Sequence, residues 1–148
     1  MRIELASEWD IDRWMKLVEK VKDAFPGLDT MEAWNDHRNT VIDFMNNASA
    51  ICAKVQEEIV GVLLFSRENN TLCFLAVDEK HRRRHIAEKM GSYMLTMMDP
   101  KGEISVTTYR DGVQEGIAAR AFYKRIGFTE GRLTEEFGSP VQEFVLKR

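Results

Sequence analysis

Long apolar runs are missing from this chain of 148 residues. Nothing reaches the roughly 18 consecutive apolar residues that a membrane helix needs, so a membrane-spanning protein is not expected. The first residues, MRIELASEWD, hold no apolar signal core, which points to a cytoplasmic protein. Cysteine is scarce, with only Cys52 and Cys73 present. Both sit in apolar, strand-like stretches and read as reduced core residues, a disulfide being the minority alternative. Excess positive charge is also absent: the net charge is -3, so overall charge favours neither nucleic acid nor an anionic membrane surface. Any anion must be held by a local cluster. There is no internal repeat and no low-complexity linker. With 44% hydrophobic residues the chain can bury a core, and its length fits one domain, residues 1–148.

What is present is a change of hydrophobic period along the chain. A short strand over 2–5 is followed by a helix over 8–25, capped by Ser7. Along it Ile11, Trp14, Met15, Val18, Val21 and Phe25 recur at helical spacing, and Pro26-Gly27 ends it. A second helix, capped by Asp29 or Thr30, runs to about 46 with Met31, Trp34, Val41 and Met45 on one face. The runs ICAKV, IVGVLLFS and TLCFLAV then read as three strands joined by short hairpin links, so their pairing is antiparallel. The last two are nearly all apolar, which predicts cover on both faces. A helix over 84–98, with Ile86, Met90 and Met94 on one face, leads to a strand over 103–109. That strand–helix–strand unit implies a right-handed parallel crossover. A helix over 114–126 and two strands near 128–135 and 141–147 close the chain. The order β-α-α-β-β-β-α-β-α-β-β implies an α/β (α+β) fold, a mixed sheet flanked by helices.

The densest charge is in VDEKHRRRHIAEKM, residues 77–90. It lies where an apolar strand gives way to a helix. A helix N-terminus has unpaired N–H groups and the positive end of the dipole, and neighbouring arginines strengthen its hold on a phosphate. The alternative is a solvated charge run. Arginines placed there oppose the dipole, a mismatch that a bound anion offsets. His81 and His85 have the spacing of helical metal ligands, but no third ligand stands out and the arginines repel a cation; no metal is expected. A nucleic-acid face would need broader basic surface with interleaved aromatics, which Asp78, Glu79 and Glu88 interrupt.

Residues FLAVDEKHRRRHIAEKM resemble the acetyl-coenzyme A motif of the GNAT superfamily of N-acetyltransferases, a strand ending in valine followed by Arg/Gln-x-x-Gly-x-Gly/Ala opening a helix. Arg82 fits the first position and Ala87 the last, with His85 standing where glycine is usual. A later stretch, AARAFYKRIGF (118–128), resembles the family's Ala-Arg-x-Phe/Leu-Tyr-x-x-x-Gly-Phe helix at Ala119, Arg120, Phe122, Tyr123, Gly127 and Phe128. Gly116 falls where an asparagine is often found.

The resemblance spans essentially the whole chain. It implies a largely antiparallel, twisted sheet of about six to seven strands, and acetyl-CoA as co-substrate. It implies that pantetheine amides pair with the backbone of Leu75, Ala76 and Val77, where an N–H also polarises the thioester carbonyl. The pyrophosphate would meet the residues from Arg82 through Arg83, Arg84, His85, Ile86 and Ala87 to Glu88. Tyr123 would approach the sulfur and protonate the thiolate; the plainer reading of Tyr123 is helix packing beside Phe122.

The resemblance implies a small-molecule, peptide or protein amine as acceptor, and no membrane or nucleic-acid partner is expected. A homodimer is allowed, since members of this fold often pair through sheet edges. The base stays open among Glu58, Glu68, Glu103 and Asp36. The first two helices and the acidic hairpin EEFGSPVQEF would wall the acceptor pocket, with Trp9, Trp34, Asp36 and His37 in or beside those helices. The substitutions at His85 and Gly116 leave a competing class, a non-catalytic CoA or acyl-CoA sensor on the same fold.

Overall fold

The computed structural model of the chain describes residues 1–25, 27–136 and 138–148, with only the backbone described at Ala24. Pro26, expected to stop the first helix, and Phe137, in the acidic hairpin, lie outside the described residues.

The chain runs β1 (Arg2–Leu5), α1 (Ile11–Val21), α2 (Met31–Asn46), β2 (Ala50–Val55), β3 (Glu58–Ser66), β4 (Thr71–Val77), α3 (Ile86–Leu95), β5 (Ile104–Tyr109), α4 (Ile117–Arg125), β6 (Thr129–Glu136) and β7 (Ser139–Leu146). This is the expected order, in a seven-stranded sheet arranged β1-β2-β3-β4-β5-β7-β6. Among the described residues only β4 and β5 pair in parallel. Helix ends are tighter than expected. Single 3₁₀ turns precede α1 and α4, and α3 begins two residues late and ends at Leu95. The turn before α1 is pinned from outside the helix. Asp10 takes the Ser7 amide at 3.0 Å and the ammonium of Lys54 on β2 at 2.9 Å, and both charged side chains are buried.

Two cores flank the sheet. On one side α1 and α2 set Trp14, Leu17, Val18, Val41 and Met45 against Cys52, Val62, Leu64 and Ala76. On the other, Met90, Met94, Phe122 and Tyr123 of α3 and α4 meet Ile51, Leu63, Phe65, Ile104 and Phe144. Successive side chains of a strand point to opposite faces, so an all-apolar strand is one that serves two cores. β3 does this, buried from Ile59 to Phe65. On α2 the expected apolar stripe is buried at Val41 and Met45, but Met31, expected on the same face, is 83% exposed.

β4 departs from the expected two-sided cover. Its register with β3 slips between Leu64↔Phe74 and Phe65↔Leu72, leaving Cys73 as a bulge. Leu72 then joins one core and Phe74 the other. Cys73 is exposed, and Leu75 and Val77 are half-buried. Cys73 is therefore not the core residue its apolar setting suggested, whereas Cys52 is buried, and burial pushes its thiol up to about 12. Both are free thiols.

Candidate cofactor and catalytic site

The cause of β4's exposure is also the origin of the site. β4 and β5 are paired at a single position, Thr71↔Ser105. From the level of Cys73 and Thr107 onward the strands part. On the edge away from β3 the backbone from Cys73 to Val77 thus faces a gap, into which alternate N–H and C=O groups point. A bulge at the start of the gap bends the strand and increases its twist, which fits this divergence. Unpaired strand edges offer alternating N–H and C=O groups to a ligand of extended, amide-bearing shape. Leu75, Ala76 and Val77 lie on this edge.

The strand is continued by Asp78, whose N–H bonds Val60 O at 2.8 Å. Its buried carboxylate accepts from the Lys80 amide at 3.3 Å, and lies 3.2 Å from His81 Nδ1 and 3.7 Å from Lys20 Nζ. Burial opposes ionisation of Asp78, but the Lys80 amide, Lys20 and His81 outweigh it and hold its pKa below the usual value. His81 is thus engaged in folding the loop. Among the described residues no group of three or more His, Cys, Asp or Glu side chains is placed to hold a metal.

Arg82, Arg83, Arg84 and His85 form the exposed turn into α3. Arg83 has φ 68° and His85 has φ 58°, both in the left-handed region. Glycine enters this region freely, and histidine does so more readily than most other residues. His85 therefore takes a backbone conformation that glycine adopts freely. Its ring turns outward, 72% exposed, with Nδ1 3.3 Å from Glu88 Oε2. His85 gives α3 no side-chain cap, and the helical ladder begins with Lys89 N–H to His85 O at 3.0 Å. The N–H groups of Ile86, Ala87 and Glu88 stand at the open end of the helix, with the arginines beside them.

Two devices hold this end of α3 in place. Gly61 on β3 allows close approach: a Cβ there would lie 2.9 Å from both Ile86 Cγ2 and Met90 Cε. The second is Glu88, which accepts from Arg125 Nε of α4 at 2.9 Å. That clamp was invisible in the sequence, because its partners are 37 residues apart and share no periodicity.

α4 carries Tyr123, 5% exposed, among Phe122, Phe128 and Phe144 with ring centroids 5.7, 5.6 and 6.0 Å away. Burial pushes its phenol well above the ordinary value. Leu75, Val77, Ile86, Ala87 and Tyr123 all belong to one packed cluster, so the edge of β4, the start of α3 and the tyrosine are held as one body. Arg120 adds stiffness. It is buried, and donates to Tyr109 O (2.9 Å), Gln142 Oε1 (2.8 Å) and Glu130 Oε1 (3.0 Å), tying α4 to β5, β7 and β6. At Gly116 a Cβ would collide with Tyr109 Cβ, so no asparagine fits here unless Tyr109 moves.

The proposed bases scatter. Glu68 lies in the turn before β4 and Glu103 just before β5, both at the paired end of the seam. Glu58 lies 3.4 Å from Lys20, and Asp36 is exposed on α2. Trp9 is 92% exposed, and Trp34 is half-buried against the α1–α2 core with Lys22 Nζ 5.9 Å from its ring. His37 packs 5.1 Å from Phe74, and burial lowers its pKa.

An open sheet parted at one parallel seam, with an uncapped helix beside the gap, defines a class of cofactor-binding α/β protein. The chain matches the acetyltransferase (GNAT) domain over residues 28–145, and it belongs to that family. No curated protein matches it significantly by sequence. Its fold is similar to that of a GNAT-family acetyltransferase from Bacillus cereus (21% identity, 99% of this chain and 96% of that one, TM-score 0.74). It is similar also to an N-acetyltransferase from Staphylococcus aureus Mu50 (16%, 99% and 100%, TM-score 0.77). A third is the PaiA N-acetyltransferase from Thermoplasma acidophilum in complex with coenzyme A (16%, 99% and 98%, TM-score 0.70). At these identities the likeness carries the fold.

Proposed function

We propose that this protein moves an acetyl group from acetyl-CoA to a primary amine by direct attack. The observation that carries the reading is the single-position pairing of β4 and β5 beside the open end of α3. The gap's free strand edge at Leu75, Ala76 and Val77 suits pantetheine amides. The N–H groups of the α3 first turn, with Arg82, Arg83 and Arg84, suit a pyrophosphate. In the reaction the amine nitrogen bonds the acetyl carbon, the carbon–sulfur bond breaks, and the sulfur leaves with a proton.

In this reading an N–H of the β4 edge near Leu75 polarises the carbonyl, an oxyanion-type role. Tyr123 supplies the proton. A phenol held above its ordinary pKa by burial stays protonated throughout the neutral range, so it serves as an acid and not as a base. It gives up its proton only when the sulfur becomes a strongly basic thiolate.

Titration calorimetry is expected to show saturable acetyl-CoA binding, and absence of binding overturns the reading. With cofactor saturating, Tyr123→Phe is expected to lower turnover about 100-fold, the scale of one general acid, while leaving affinity within a few-fold. Equal turnover in the two proteins removes Tyr123 from the chemistry. Binding without thiol release across a panel of amines favours the sensor class instead.

A further inference from the structure

The sheet order puts β7 between β5 and β6. Nevertheless Glu136, the last residue of β6, reaches back to β5: Thr107 Oγ1 donates to its Oε1 at 2.7 Å. The end of the β6–β7 hairpin must therefore curl over the face of β5. Arg110 Nε and Nη2 hold that curl from beneath, donating to Val141 O at 3.1 Å and Thr134 O at 2.9 Å. The place it reaches is distinctive. Thr71↔Ser105 is the one pair joining β4 to β5, so two residues on, Cys73 and Thr107 mark where the strands separate. Glu136 bonds Thr107 and acts electrostatically on the Cys73 thiol, so its carboxylate stands over the beginning of the gap.

We propose that Glu136 receives the acceptor, pairing with its ammonium and taking the proton that must leave before the nitrogen can attack. The role rests on the acetyl-transfer reading above. A carboxylate with one hydroxyl donor keeps acceptor capacity for an ammonium. The proton passes from nitrogen to Glu136 and then to solvent, since the side chain is exposed. The nitrogen, now neutral, makes the new bond to carbon; as the carbon–sulfur bond breaks it sheds a second proton, which through solvent replaces the one that Tyr123 gives to the sulfur. The charged and titratable groups around it are Cys73 on β4, Glu143 opposite Thr107 on β7 with Arg132 of β6 beside it, and Arg110, which is bound to carbonyls; Glu135, its neighbour along β6, alternates to the other face. Arg132 lies 3.8 Å from Glu143 and offsets its charge, so the carboxylate of Glu136 itself is what favours a cationic acceptor over a neutral or anionic one.

The test uses the full chain, acetyl-CoA and a panel of primary amines with free-thiol detection. Glu136→Gln is expected to lower kcat/KM about 100-fold at pH 7 with acetyl-CoA affinity unchanged by calorimetry. The deficit should shrink as pH approaches the amine's own pKa, about 10.4 for a lysine-like amine, because the substrate then arrives deprotonated. Thr107→Val, which removes only the hydroxyl donor, should cost a few-fold. A deficit that is the same at every pH, or no deficit, overturns the role and leaves acetyl transfer standing. A wild-type chain that binds acetyl-CoA but releases no thiol with any amine overturns the transfer reading and this role together.

Discussion

His85 departs from a sequence pattern at a position whose backbone favours glycine. Its φ of 58° is the backbone a glycine would supply, and its ring leans on Glu88. Non-glycine residues meet a cost of about 1–2 kcal/mol in this region, lower for short polar side chains that bond locally. A β-branched side chain has no such relief. His85→Val is therefore expected to weaken acetyl-CoA binding about tenfold by calorimetry and to lower the thermal midpoint. His85→Gly should bind as tightly as the parent. If valine and glycine behave alike, the left-handed turn is not what seats the ligand. The motif was legible in the sequence from Arg82 and Ala87; the rescue at position 85 was not, because residue type does not report a dihedral angle. Tyr123 was legible through its neighbours, Phe122 and Phe128, while its burial among Phe128 and Phe144 depends on contacts the linear sequence does not show.

Among the elements, α3 and β4 carry the candidate site, and each is shaped by one position. Gly61 lets α3 sit directly on β3, with Ile86 and Met90 where a side chain would be. Gly61→Val overpacks this contact, at a cost of about 1–3 kcal/mol. For a chain of this size that lowers the thermal midpoint by a few degrees for each kcal/mol, read by calorimetric melting. Because Ile86 opens the helix that faces the gap, acetyl-CoA affinity should fall too; a loss of stability with no loss of affinity would separate the packing from the site. Strands and helices were legible from period alone, in the right order. The ends were not. Asp10 is held by Lys54 from another strand, and Arg84 and His85 belong to a turn although they look like the start of a helix. The bulge at Cys73 had no local signal, since TLCFLAV reads as an unbroken strand.

For the molecule as a whole, the element order and the parallel pairing of β4 with β5 followed from the alternation of strands and helices, while the parting of those two strands did not. Both strands have the composition of paired ones, and their divergence is a property of the assembled sheet. Glu136 belongs to the same category, brought to Thr107 by a hairpin whose curl no residue announces. The seam at Thr71↔Ser105 also has a temporal meaning. A sheet stitched at one point can breathe there, and amides along the free edge exchange with solvent at local, not global, opening energies. Hydrogen exchange is expected to be fast at Leu75 and Val77 in the free protein and markedly slowed by acetyl-CoA, with little change at Ala76, which faces β3, or in β2 and β3. The ligand would act as a splint, lending the sheet the rungs it lacks and making the protein most rigid at the moment of reaction.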